Sequence, residues 1–290
     1  MTPQGRLLGW LASAAALASM TAALADAPPA AESVLRVCAD PNNMPLSNQS
    51  GEGYENRIAE LLAHDLGWKL EYTWFPQRMG FVRNTLKAKD PDQDHFKCDL
   101  VIGVPVGYEL TLTTPAYYRS TWAMVLPVGT GLDDVHTPAD LLKIEPARLK
   151  KLRFGLVGRS PPTDWLLKNN LIDQAVAVPT QSGDPAAYPG QMIADQLASG
   201  QIDVAFAWGP IAGYFTKQAK APAMRMLPFA PDPDIHFDYK IAMGVRFGEK
   251  EWRDRIAGLI ARDQKQIDEI LLSYGVPLLD DKGNPIQAAN

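Results

Sequence analysis

Residues 34–74, VLRVCADPNNMPLSNQSGEGYENRIAELLAHDLGWKLEYTW, read as strand, polar turn, helix and strand. Residues 34–38 are a short apolar run. Residues 39–43 are a polar turn. From Gly53 the apolar positions Ile58, Leu61, Leu62 and Leu66 recur at helical spacing until Gly67 ends the run. Residues 69–74 then alternate as a strand. A second helix is expected over residues 80–86 and a buried strand over 98–103. A β-α-β-α-β order of this kind builds a parallel sheet with helices on its faces. Ligands of such sheets sit at the loops that follow the strands' C-terminal ends.

A second unit of the same type follows. Strands are expected at residues 152–157, 175–178 and 202–208, and helices at 164–168 and 188–198. Residues 251–272 form one long amphipathic pattern. Segments 121–128 and 240–247 are extended and join the two units. The expected architecture is α/β, with two lobes hinged by two crossover segments. Residues 26–119 with 241–290 are assigned to one lobe and 120–240 to the other. The chain has 290 residues, more than one compact core usually absorbs.

The N-terminus has the layout of a secretory signal peptide. Residues 1–9 carry one base, Arg6, and no acid; residues 10–24 are apolar or small; Ala23-Leu24-Ala25 is a small-x-small cleavage site. Residues 1–25 are therefore expected to be removed on export to the periplasm. The formal net charge is −5. Removing one base and no acid makes the mature chain more acidic still, which argues against nucleic acid or anionic lipid as a partner. No later apolar run reaches membrane-spanning length.

Cys38 and Cys98 are the only cysteines. Export places them where disulfides persist, and both lie near expected neighbouring strands. A pair of buried thiols is the alternative. Two cysteines alone make a poor metal site. The Asp-rich loops 90–95 and 232–238 space oxygens at alternate positions but lack the glycine and distal glutamate of an EF-hand. No metal and no cofactor are expected.

The phrases LRVCADPNNMPLSN, GYENRIAELLAHDLG, CDLVIGVPVGYELTLTTPAYYRS, SGQIDVAFAWGPIAGYF and IAMGVRFGE resemble type 2 periplasmic solute-binding proteins along the whole mature chain. RVCADPNNMPLSN, FPQRMGFVRNTL, DLVIGVPVGYEL, YYRS, WGPIAGYF and YGVPLL are together similar to one branch. Its members are the MxaJ- and XoxJ-like substrate-binding proteins that accompany quinoprotein (PQQ-dependent) alcohol dehydrogenases. The resemblance implies two α/β lobes, a hinge, a cleft and no catalysis. It implies as partners a PQQ-dependent dehydrogenase or its cytochrome c, or an ABC permease.

Two departures from the parent family bear on the ligand. Amino-acid-binding members carry an Arg after a Glu beyond the DLVIG-like strand, and it clamps the ligand carboxylate. Here Leu110 follows Glu109. The Asp that holds the ammonium group is replaced by Trp208. A zwitterion would have poorly paired charges in such a cleft, so a free amino acid is not the expected ligand. The expected cleft wall comprises Asn42, Asn43, Trp74, Arg78, Tyr108, Glu109, Tyr117, Arg119, Thr163 and Trp208. Arg78 and Arg119 are candidates to hold a carboxylate or to pair with Glu109. Glu55, near a helix N-terminus, is expected to satisfy free N–H groups there.

Three functions follow in order: an accessory of the dehydrogenase system, a receptor of an importer for a small solute, and a dehydratase-like enzyme centred on Glu109.

Overall fold

The computed structural model describes residues 33–179 and 188–286. The expected signal peptide lies outside the described residues. The first elements are β1 (Val34–Ala39), β2 (Asn42–Asn43), β3 (Ser47–Asn48), α1 (Tyr54–Leu66), β4 (Lys69–Trp74), α2 (Phe81–Asn84), β5 (Leu100–Pro105) and β6 (Leu112–Thr113). Then come β7 (Tyr118–Pro127), α3 (Pro146–Leu149), β8 (Phe154–Val157), α4 (Pro161–Lys168), β9 (Ala175–Val178), α5 (Pro189–Ala198), β10 (Val204–Trp208) and α6 (Gly209–Gln218). The chain continues through β11 (Met224–Pro228), β12 (Asp238–Val245) and α7 (Lys250–Ser273).

The sheet order is β4-β1-β5-β12-β7-β10-β8-β9. On one side β4, β1 and β5 are parallel; on the other β10, β8 and β9 are parallel. Between them run β7 and β12, antiparallel to each other and to their neighbours. The first residues of β7 pair with β12, and its later residues pair with β10 and β11. Likewise β12 pairs with β7 at residues 238–241 and with β5 from Ile241 onward. Two strands thus serve both halves, which makes this a two-lobed, mixed α/β molecule with two crossovers.

Alternation along the strands supplies a core on each face of each half. Leu100 and Ile102 pack with α1 and α7 residues such as Ile58, Leu62, Ile256 and Ile267. Val101 and Val104 turn the other way, to Phe81, Val82 and Leu86. In the second half Val204 and Phe206 join Phe154, Trp165 and Phe229, whereas Ala205 and Ala207 join Ile193 and Leu197. A disulfide links Cys38 in β1 to Cys98, with 5.4 Å between their Cα atoms. It closes a span of 60 residues, which in the chain-entropy picture stabilises by about 4 kcal/mol.

Local differences from the sequence reading have plain causes. The helix expected at 164–168 begins at Pro161, because Pro161 and Pro162 occupy its first two positions, where no N–H is needed and a fixed φ helps. The second helix is only Phe81–Asn84. The edge strand β11 was not apparent from its sequence, MRMLP, which shows no alternating burial.

Candidate functional site

The loops after β4 and β5 lie side by side and enclose a groove of about 490 Å³. Its walls include Arg78, Met79, Arg83, Gly103, Tyr108 and Leu110. This is the strand-end face where ligands of such sheets bind. Asp40 organises its edge: one carboxylate oxygen accepts from the Gln77 N–H and the other from the Asn42 N–H at 2.9 Å. Asn43 reaches the same loop, donating from Nδ2 to Gln77 Oε1 at 3.2 Å.

Of the sequence-derived wall residues, Arg78 and Tyr108 line this groove. Glu109 is exposed beside it. Trp74 ends β4 and stacks on Tyr72 with centroids 4.6 Å apart. Trp208 ends β10 in the other half, edge-on to Trp122 at 6.3 Å and to Tyr239 at 5.8 Å. The rest are engaged elsewhere. Arg119 does not pair with Glu109; its Nε donates to Asp238 Oδ2 at 2.6 Å and its Nη1 to the Asp281 carbonyl at 2.8 Å. Thr163 belongs to the start of α4, where its Oγ1 accepts from the Ser160 N–H at 3.3 Å. Tyr117 is 2% exposed and packs against Tyr118 at 4.9 Å. In this conformation its ring is part of the core.

Glu55 departs most from the sequence reading. Asn56, not Glu55, satisfies the N-terminal backbone of α1, its Oδ1 accepting from the Gly53 N–H at 3.1 Å. Glu55 is 7% exposed, and its Oε1 is buried without a hydrogen-bond partner. The carboxyl lies over Gly103 so closely that a Cβ there would overlap Oε1. Burial, with Asp40 nearby, pushes this group up to about 8. It is therefore mostly a neutral acid at pH 7. Around it Tyr54, Tyr117 and Tyr118 are buried, with the Tyr54 and Tyr118 hydroxyls 3.3 Å apart. Desolvation raises all three phenols. Nothing local in the sequence signals this burial, because Gly103 is brought to Glu55 only by the fold.

Three of the branch-marking phrases, YYRS, WGPIAGYF and YGVPLL, meet beside the crossover strand β7, whereas FPQRMGFVRNTL and DLVIGVPVGYEL supply the loops of the groove. Gly213 of α6 lies against Gly275 just beyond α7, so that a Cβ on Gly213 would overlap the Gly275 carbonyl. Gly209 is packed similarly on the Thr121 carbonyl and on Pro277. Tyr214 stacks with Tyr274, centroids 6.1 Å apart. The tail then runs along β7: the Leu279 N–H donates to the Arg119 carbonyl at 2.9 Å, and Ser120 Oγ donates to the Pro277 carbonyl at 2.8 Å. Residues of YYRS, WGPIAGYF and YGVPLL therefore build one brace.

The Asp-rich loops are tied internally. Lys168 bridges Asp232 and Asp234 at 3.3 and 2.8 Å, and Lys89 meets Asp94 at 3.2 Å. Among the described residues no group of three or more His, Cys, Asp or Glu is placed to hold a metal ion. No helix among them is long and apolar enough to cross a membrane.

Two α/β lobes on shared crossover strands, with a groove at the strand ends, define a type 2 periplasmic binding protein. No family model matches the chain. The periplasmic binding protein XoxJ from Methylobacterium extorquens AM1 is 33% identical, matches 85% of this chain and 100% of that one, and superposes with a TM-score of 0.68. MxaJ from Methlophaga aminisulfidivorans MPT is 27% identical over 84% of this chain and 100% of its own, also with a TM-score of 0.68. Protein MoxJ of Paracoccus denitrificans is 27% identical over 92% of this chain and 95% of its own length. The chain belongs to this MxaJ/XoxJ family of periplasmic binding proteins.

Proposed function

We propose that this protein is exported to the periplasm, loses residues 1–25, and serves a PQQ-dependent alcohol dehydrogenase of the methanol type without catalysing a reaction itself. It docks on the dehydrogenase or its cytochrome c and acts through the cleft between residues 26–119 with 241–290 and residues 120–240. The observation that carries this reading is the relation to XoxJ over 85% of this chain and all of that one, supported by the brace that YYRS, WGPIAGYF and YGVPLL build at the crossover. Glu109 supports no catalytic reading, since neither arginine pairs with it and Arg119 is held by Asp238.

The test is genetic and biochemical. Deleting the gene should lower periplasmic quinoprotein alcohol dehydrogenase activity severalfold, with recovery on complementation. Wild-type activity in the deletion strain, with no co-purification of the dehydrogenase or cytochrome, removes the accessory role.

Delivery of a small solute to an ABC permease is the second reading. The groove between the β4 and β5 loops favours it, because it is open and carries unpaired cations.

A further inference from the structure

We infer that the groove between the β4 and β5 loops is a subsite for a small organic anion with an apolar body, its charge held by Arg78 and Arg83. This deepens the reading of the protein as a binding protein and rests on it. Arg78 and Arg83 both line the groove. Among the described residues neither guanidinium makes an ion pair or a side-chain hydrogen bond. Arg159 is likewise without a partner among the described residues, but most other arginines behave differently. Arg36, Arg57, Arg119, Arg153, Arg246 and Arg262 each meet a carboxylate. Arg225 donates to two carbonyls. Two guanidiniums without partners on one groove wall thus stand out in this acidic chain of net charge −5.

The rest of the wall supplies no counter-ion. Its lining contains no Asp or Glu. Three acids stand near it, and Glu109, exposed between the lining residues Tyr108 and Leu110, pairs with neither arginine. Asp40 already accepts two backbone N–H groups. Glu55 lies over Gly103, and burial keeps it protonated up to about 8. Among the described residues none of the three forms an ion pair with Arg78 or Arg83. An arginine fork presents parallel N–H donors that match a carboxylate in two bonds. The absence of acids from the wall equally disfavours an ammonium group on the ligand.

The remaining surface is apolar and open. Met79 is 93% exposed and Leu110 39%. Phe81, Val104 and Tyr108 complete the groove. A large exposed apolar patch with a few convergent polar groups is the signature of a small-molecule pocket, and about 490 Å³ is an ordinary size for one. Gly80, at φ 88°, sets the start of α2 so that Arg83 Nη2 comes within 3.3 Å of where its Cβ would stand. A side chain at 80 would be strained and would crowd that arginine.

Calorimetric titration of the mature full-length protein with benzoate, hexanoate and phthalate tests the inference. Benzyl alcohol, hexanol, sulfate and glycine are the controls. At least one organic anion should bind, with affinity falling tenfold or more in Arg78→Gln and in Arg83→Gln. The ligand-free melting temperature of both variants should match wild type, since neither side chain has a partner to lose. Equal binding of benzyl alcohol, equal binding of sulfate, or unchanged anion affinity in the double variant overturns the inference. If no organic anion binds but the dehydrogenase or cytochrome does, the anion subsite falls and the binding-protein reading stands. If neither binds, both fall.

Discussion

Glu55 is a carboxyl group held in a place suited to an amide. Its folded value of about 8 lies far above the ordinary 4.5. The folded state therefore binds a proton that the unfolded state releases across that window, so stability falls as pH rises from 4.5 to about 8. The whole shift corresponds to up to about 5 kcal/mol. Glu55→Gln keeps the shape and removes the charge. It should raise the midpoint of urea unfolding at pH 8, by several kcal/mol in free energy, with little effect at pH 4.5. A variant equally stable or less stable at pH 8 means that the carboxyl is better solvated than its burial implies. The companion orphan, the Tyr117 hydroxyl, also lies buried without a partner. Neither was legible in the sequence, because burial of a polar side chain depends on which strand end and which tyrosines are brought over it.

The elements themselves were largely readable. The β-α-β order of residues 34–103, the helical spacing from Ile58 and the long C-terminal helix all follow from apolar periodicity, and the structure has them as β1, α1, β4, α2, β5 and α7. Contacts between distant elements were not readable. Arg119 meets Asp238 across 119 positions, so its assignment to the cleft wall rested on proximity to a strand end alone. Thr163 was placed on the wall because it lies in the segment after a strand end, whereas the two prolines before it start the helix and Thr163 completes its cap. The brace between α6 and the tail is likewise a product of tertiary packing. Ala in place of Gly inside a helix normally stabilises by about 0.5–1 kcal/mol. Gly213→Ala should do the opposite, because its methyl group meets the Gly275 carbonyl. A loss of about 1–3 kcal/mol is expected from overpacking, read as a lower thermal midpoint. An unchanged or higher midpoint would show that the tail yields without cost.

At the scale of the whole molecule, β7 and β12 couple two lobes, and the tail braces the hinge behind them. The groove in front offers cations but no carboxylate for an ammonium group. Free amino acids should therefore leave the protein unaffected. A thermal-shift panel of glycine, arginine, glutamine and histidine at millimolar concentration should move the midpoint by less than 1 °C, because a ligand that binds the native state stabilises it by mass action. A clear shift with any of them would mean that a zwitterion is held by groups other than the missing clamp. The family relation was legible from the phrases around Cys38, Tyr108, Tyr117 and Trp208 taken together. Their roles were not, since the same phrases serve the hinge as readily as a ligand wall.

The most direct measurement is association between purified components. The mature protein, immobilised in an orientation that leaves the groove face free, is exposed to the PQQ-dependent alcohol dehydrogenase and separately to its cytochrome c from the same organism. Saturable binding to one of them at micromolar concentration or below, at physiological salt, is the predicted result. No binding to either, together with tight binding of a solute and capture by an ABC permease, would contradict an accessory role and make the protein a transport receptor.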